Sequence, residues 1–174
     1  MKWWRFTLVI LVVACLQASA AMELFSLTNL RIKPDVLLIL LVYFAVYCDS
    51  YDAVIISFAI GFAADITGMV LGPHLISFGI IGSVIAHIRK LILLKSTGQQ
   101  AMAILAAAIL TGTIALLLTQ MKASELIKTG LFEIFAVGLY SAILWFLIKW
   151  PVVKIGKWLG VGAHRFGLKA DGRV

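Results

Sequence analysis

Six stretches of this sequence are apolar over about the length that a helix needs to cross a membrane. A bilayer core about 30 Å thick takes roughly 20 residues of α-helix. The chain is 63% hydrophobic and 13% charged, so it has too little polar surface to fold as a soluble domain. We therefore predict an all-α integral membrane protein, a six-helix bundle with spans at 4–22, 34–51, 53–73, 75–94, 99–120 and 131–150.

Two of these spans have competing interpretations. The second is strictly apolar only from Val36 to Cys48, so a re-entrant segment competes with a full crossing. The first has the charged start, apolar centre and small-residue ending of a secretion signal, and VVAC ending at Cys15 resembles a lipoprotein cleavage site. Because the stretch from Trp3 to Met22 is long for a signal, we expect it to be retained as a span.

The distribution of basic residues predicts the orientation of the chain. Six spans put both termini on one side, and that side holds eleven of the 15 Lys and Arg residues. The positive-inside rule therefore places both termini in the cytoplasm. Residues 1–150 form the transmembrane domain, and residues 151–174 form a basic cytoplasmic tail with interleaved aromatic residues. We expect this tail to lie on anionic lipids, with docking to a cytoplasmic partner as the alternative, and we expect no binding of nucleic acid.

The third span carries one acidic residue among small side chains. Within SFAIGFAADITGMVLG, five residues fall within about 80° of one helix face: Ser57, Gly61, Asp65, Gly68 and Gly72. Small residues on a line let another helix pack closely in lipid, and the last two form a GxxxG step. A carboxylate in the membrane must face protein or water. We favour a hydrogen-bonding clasp that fixes helix packing over a proton or ion site, with candidate partners at Ser57, Thr67, Ser77 and His87 or on another chain.

The remaining polar residues predict no enzyme. Cys15 and Cys48 lie in apolar stretches without metal-ligand spacing, and the three histidines are scattered. The sequence has no nucleophile–base pair, phosphate-binding glycine loop or zinc-protease helix. We expect no catalytic residue, no metal and no cofactor.

Several segments resemble the bacterial rod-shape-determining protein MreD family. SFAIGFAAD at 57–65 is similar to the family's G-F-x-x-G-L-x-x-D signature, and Leu71–Gly72 matches the L-G step that follows. PDVLLILLVYFAVY at 34–47 resembles the Pro-Asp entry to the second span, and HIRKLILL at 87–94 resembles the basic exit from the fourth. Two positions depart from the pattern, since serine replaces the first glycine and phenylalanine replaces leucine. The positions that carry the family motif are Pro34, Asp35, Phe58, Phe62 and Leu71.

The resemblance implies a non-enzymatic scaffold of the cell-elongation complex in the bacterial inner membrane. MreD-like proteins accompany the single-span protein MreC and the actin-like filament protein MreB. They act in lateral peptidoglycan synthesis with a RodA-type glycosyltransferase and a class B penicillin-binding protein. The resemblance also implies a fold similar to the substrate-binding component of energy-coupling-factor transporters. On this basis, the small-residue face of the third span either braces the bundle or receives the MreC helix.

Two other functions compete with the scaffold. The small-molecule-binding component of an energy-coupling-factor type transporter would need an outward pocket with converging polar groups. A membrane enzyme acting on lipid or isoprenoid would need several acids, histidines or serines meeting within the membrane. The outer ends of the spans offer only scattered polar residues: Arg31, Lys33, His74, Lys122, Glu125 and Glu133.

Overall fold

The computed structural model describes residues 2–19, 34–68, 72–88, 96–122 and 130–161, which form six helices and no strand. This confirms the predicted all-α, membrane-type bundle. The helices are α1 (Trp3–Ala18), α2 (Val36–Tyr47), α3 (Ser50–Thr67), α4 (Pro73–Ile88), α5 (Thr97–Lys122) and α6 (Leu131–Trp158).

The helices differ in length. Within the described residues, three are long and apolar enough to cross a membrane: Ser50–Thr67, Thr97–Met121 and Phe132–Trp158. The helices α1, α2 and α4 are apolar but shorter, with 16, 12 and 16 residues. At 1.5 Å per residue, α2 extends about 18 Å, so it does not cross a bilayer core of about 30 Å by itself. It is shorter than the span predicted at 34–51 because a break at Cys48 and Asp49 precedes α3.

The short helix α2 forms the centre of the bundle. Every residue from Leu37 to Val46 is buried, and α2 contacts each of the five other helices. A helix that is apolar on all sides is buried in a protein core or in lipid, and α2 is covered by protein. The ring of Phe44 packs edge-on against Phe6 of α1, with 5.5 Å between centroids, and Tyr43 lies against Trp145 of α6.

The first and last described residues meet at one end of the bundle. The backbone N–H of Lys2 donates to the carbonyl of Leu159 at 3.3 Å, and the Arg5 guanidinium donates to the carbonyl of Trp158 at 3.0 Å. The described chain therefore begins and ends on the same side of the bundle. We call this side the terminal end.

The last helix continues beyond the span predicted at 131–150. It passes through Pro151, which has no N–H to donate, and ends at Trp158. The start of the predicted tail at 151–174 is therefore helical, and its residues 162–174 lie outside the described part of the chain.

Candidate functional site

The acidic residue of the third helix joins α3 to the start of α4. Asp65 is only 1% exposed. Its Oδ2 atom accepts hydrogen bonds from the backbone N–H groups of Gly72 at 2.8 Å and Leu75 at 2.9 Å. Its Oδ1 atom accepts a third from the backbone N–H of His74 at 2.9 Å. One side chain therefore accepts three backbone hydrogen bonds at the start of the next helix.

These hydrogen bonds satisfy backbone N–H groups at the start of α4. The first N–H groups of a helix have no partner within it, and their dipoles favour a negative group. Pro73 suits the first helical position because it has no N–H to satisfy. Gly72 just before it has a φ of +114°, a left-handed conformation that glycine adopts without strain. Asp65 therefore acts as an N-terminal cap for α4 that comes from a neighbouring helix.

The side-chain partners predicted for Asp65 were wrong. The hydroxyls of Ser57, Thr67 and Ser77 donate to backbone carbonyls one turn back in their own helices. His87 lies in the last turn of α4, at the opposite end from Asp65. The carboxylate instead uses backbone N–H groups, which occur at every residue except proline and so give no signal in a search for polar side chains.

Two small residues let α3 and α4 approach closely. A methyl group added at Gly61 would lie 2.6 Å from the carbonyl oxygen of His74 and 2.8 Å from the Cα atom of Leu75. Ser57 is fully buried, and a methyl group added at Gly82 of α4 would overlap its side chain. The face formed by Ser57, Gly61 and Asp65 is therefore covered by α4 of the same chain.

The two remaining glycines of the predicted stripe do not lie on that face. Helix α3 ends at Thr67, and the N–H of Gly68 closes it by donating to the carbonyls of Ala64 and Asp65 at 3.1 Å each. Gly72 belongs to the turn before α4. Gly68 and Gly72 therefore both lie outside the helices α3 and α4, so they do not continue the helical face of Ser57 and Gly61 as the predicted GxxxG step would.

The phenylalanines of the family motif lie on other faces of α3. Phe58 is 43% exposed and its ring packs over Gly79 of α4, while Phe62 is 54% exposed. Pro34 is buried just before α2. Leu71 lies outside the described residues.

A second carboxylate caps the central helix. Asp35 is the N-cap of α2, and its Oδ1 atom accepts from the backbone N–H of Leu38 at 3.0 Å. The same atom accepts from Gln17 Nε2 of α1 at 3.1 Å, and Gln17 Oε1 accepts from the N–H of Leu37 at 3.2 Å. The backbone N–H of Asp35 donates to Ser141 Oγ of α6 at 3.0 Å. This cluster therefore joins three helices.

Sequence reasoning missed Gln17 and Ser141 and gave Asp35 no role beyond the family motif. An aspartate directly before an apolar helical run is a typical N-cap signal, and that pattern could have identified Asp35. Gln17 and Ser141 carry no such signal, because they are distant from Asp35 in the chain.

An open apolar groove of about 540 Å³ runs between α1 and α3. Its polar lining is limited, and the hydroxyls of Thr7 and Thr67 donate to carbonyls of their own helices. The thiol of Cys15 is exposed within it. We call this the α1–α3 groove; its walls include the small residues Ala14, Ala18, Ala59 and Ala63, and its rim includes Phe62 and Ile66.

Two of the five acidic residues that the structure describes, Asp35 and Asp65, have a structural role. Among the described residues, no group of three or more His, Cys, Asp and Glu side chains lies close enough to hold a metal ion. The carboxylate oxygens of Asp65 and Asp35 accept hydrogen bonds from backbone N–H groups at the starts of α4 and α2.

A family model described as rod shape-determining protein MreD matches residues 1–155 of the chain. The match extends well beyond residues 34–95, where the motifs are clearest. No curated protein and no solved structure matches the chain. Similarity to the energy-coupling-factor component therefore stays a prediction.

Proposed function

Because this chain belongs to the MreD family of rod shape-determining proteins, we propose that it is a non-enzymatic scaffold of the elongation complex in the bacterial inner membrane. Family membership gives it a role in rod-shape determination as part of the rod-shape machinery. Within that machinery, we expect it to bind MreC and to help organise lateral peptidoglycan synthesis with MreB, a RodA-type glycosyltransferase and a class B penicillin-binding protein.

The observation that supports a scaffold is the use made of Asp65. A carboxylate that transfers protons or ions needs an acceptor site facing a ligand, whereas both oxygens of Asp65 are occupied by backbone N–H groups. A carboxylate inside a membrane is costly unless other groups of the protein pair with it. Here the carboxylate pairs with backbone N–H groups and holds α4 against α3, which favours a rigid docking platform.

We expect the MreC helix to dock in the α1–α3 groove rather than on the face of Ser57 and Gly61. That face is covered by α4, so it already braces the bundle. The α1–α3 groove is open and carries alanines on both walls. Helices associate in lipid through close packing, which small residues permit.

Disulfide crosslinking tests this docking site. Single cysteines are placed along the MreC span and oxidised in membranes that contain the full chain. We expect crosslinks to Cys15, which is exposed in the groove, at positions that repeat every three or four residues. Cys15→Ser should abolish them, whereas Cys48→Ser should not, because Cys48 is buried in the core. If MreC co-purifies but forms no crosslink to either cysteine, the MreC helix docks at another surface.

Complementation tests the cellular role. A rod-shaped bacterium depleted of its own MreD is supplied with this chain and examined by microscopy. We expect rods to be maintained, and an Ala59→Phe variant, which places a large side chain at a partly exposed position of the groove, should let the cells round up. A matched Ile80→Phe variant, on an exposed face of α4, should keep them rod-shaped. Cells that stay rounded with the unaltered, well-expressed chain would contradict the proposal, and impaired vitamin uptake in otherwise normal rods would favour the transporter.

A further inference from the structure

Four basic side chains gather at the terminal end of the bundle, where α1 begins and α6 ends. The Arg5 guanidinium bonds the Trp158 carbonyl and lies 4.6 Å from the centre of the Trp158 ring. The backbone hydrogen bond from Lys2 to Leu159 places Lys2 beside the same end of α6. We call this group the basic corner; its members are Lys2, Arg5, Lys154 and Lys157.

The charges of the basic corner are not neutralised within the described chain. The exposed amines of Lys2 and Lys157 form no hydrogen bond or ion pair with another described residue. The amine of Lys154 lies 3.7 Å from the centre of the Trp150 ring, which leaves its positive charge in place. No carboxylate in the described part of the chain forms an ion pair with these basic side chains. The corner therefore presents a net positive surface.

An apolar stripe on α6 leads directly to the basic corner. Ile143, Leu147 and Trp150 are 60%, 79% and 72% exposed. Their spacing of four and three residues continues through Lys154 and Lys157, so all five lie on one helix face. A face that changes from aliphatic residues to tryptophan and then to lysine is typical of a helix that leaves the hydrocarbon region at the headgroups.

We propose that the basic corner binds the headgroup of an anionic phospholipid whose acyl chains lie along the α6 stripe. The charge fits the phosphate, and the stripe continues the same surface into the hydrocarbon region. An acidic protein segment would match the charge but would leave the adjoining apolar stripe unexplained. This inference concerns the described end of α6 and is independent of the docking of MreC.

Spin-labelled lipids test the site in the full chain. The chain is reconstituted in phosphatidylcholine vesicles with trace spin-labelled phosphatidylglycerol or phosphatidylcholine, and the motionally restricted fraction gives the relative association of each lipid. We expect the unaltered chain to prefer phosphatidylglycerol. Lys154→Gln and Lys157→Gln should each reduce that preference about fivefold, because a lysine near a membrane surface contributes roughly that much to binding anionic lipid.

Lys149→Gln is the matched control. Its amine is directed toward α5, where it donates to Thr97 Oγ1, and it lies off the α6 stripe, so its loss should reduce the preference less than the loss of Lys154 or Lys157. Equal association of both lipids with the unaltered chain would overturn the proposal. So would an unchanged preference in the Lys154→Gln, Lys157→Gln double variant, or an equal loss in Lys149→Gln. If the double variant does not fold, added salt should weaken the preference of the unaltered chain, and a salt-independent preference would also overturn it.

Discussion

At the scale of single residues, Asp35 and Asp65 solve the same problem at the starts of α2 and α4. The first residues of each helix are partly buried, and the aspartate accepts hydrogen bonds from N–H groups there. An unsatisfied backbone group costs several kcal/mol in an apolar environment. Each aspartate provides acceptors at the end where the helix dipole favours negative charge. The membrane carboxylates of this chain are therefore explained by their backbone neighbours.

Asp65→Leu should destabilise the folded protein strongly. The substitution leaves the N–H groups of Gly72, His74 and Leu75 without acceptors, at about 1–3 kcal/mol each. We expect a loss of about 3 kcal/mol or more in the free energy of unfolding, measured by denaturant titration in detergent, and faster hydrogen exchange at these amides. Asp52→Leu, in the first turn of the same helix, should cost less than about 1 kcal/mol. Equal losses in the two variants would contradict the capping role.

Asp35→Ala and Asp49→Ala form a second matched pair. Both aspartates are N-caps, but only Asp35 accepts a capping bond from its helix. We expect Asp35→Ala to lower the free energy of unfolding by at least about 1 kcal/mol, because Gln17 also loses its acceptor. Asp49→Ala should change it by less than about 0.5 kcal/mol. A larger effect at Asp49, in the same thermal or denaturant measurement, would contradict the assignment of Asp35.

At the scale of helices, the α3–α4 hairpin depends on backbones that approach closely. A side chain at Gly61 would contact backbone atoms of α4, which cannot move without displacing the helix. Asp65 then fixes the register of the pair one turn farther along α3. The same carboxylate and the same small residues therefore determine both the spacing and the alignment of the two helices.

Gly61→Ala should destabilise the hairpin, whereas Gly98→Ala should not. Overpacking of this kind costs about 1–3 kcal/mol. A methyl group at Gly98, in the first turn of α5, would meet no atom within 4 Å. We expect Gly98→Ala to be neutral or to stabilise the helix by up to about 1 kcal/mol. Thermal unfolding in detergent compares the two, and a Gly61→Ala variant as stable as the unaltered chain would show that the helices separate easily.

The apolar stretches predict the existence and order of the helices, but less of their ends and contacts. Composition alone indicates burial in lipid, which requires helices. The end of α3 at Thr67 was not predicted, because Met69 to Leu71 continue the apolar pattern in the sequence. The partners of Asp65 were not predicted, because the bonds go to backbone atoms. The contact of Asp35 with Ser141 joins residues 106 positions apart, which no local pattern records.

At the scale of the whole molecule, the short helix α2 is buried from Leu37 to Val46 and contacts the five other described helices, and the described chain returns to its starting side. Hydrogen bonds connect α2 to its surroundings at both ends: Asp35 and Leu37 with Gln17, Asp35 with Ser141, and Tyr47 with Gln100 of α5. The outer helices α1 and α6 are joined at the terminal end through Arg5 and Trp158. The outward faces of these helices remain available to lipid and to partners.

The meeting of the two ends predicts the topology of the protein in its membrane. Lys2 and Leu159 are one hydrogen bond apart, so the bilayer cannot separate them. The excess of basic residues at this end predicts that it is cytoplasmic. In a chain without Cys15 and Cys48, Lys2→Cys and Lys157→Cys should both resist a membrane-impermeant maleimide in spheroplasts and react after permeabilisation. Gly130→Cys, exposed before α6 at the opposite end, should react in intact spheroplasts. Labelling of Lys2→Cys and Lys157→Cys from opposite sides would contradict the described bundle, and labelling of both from outside would reverse its orientation.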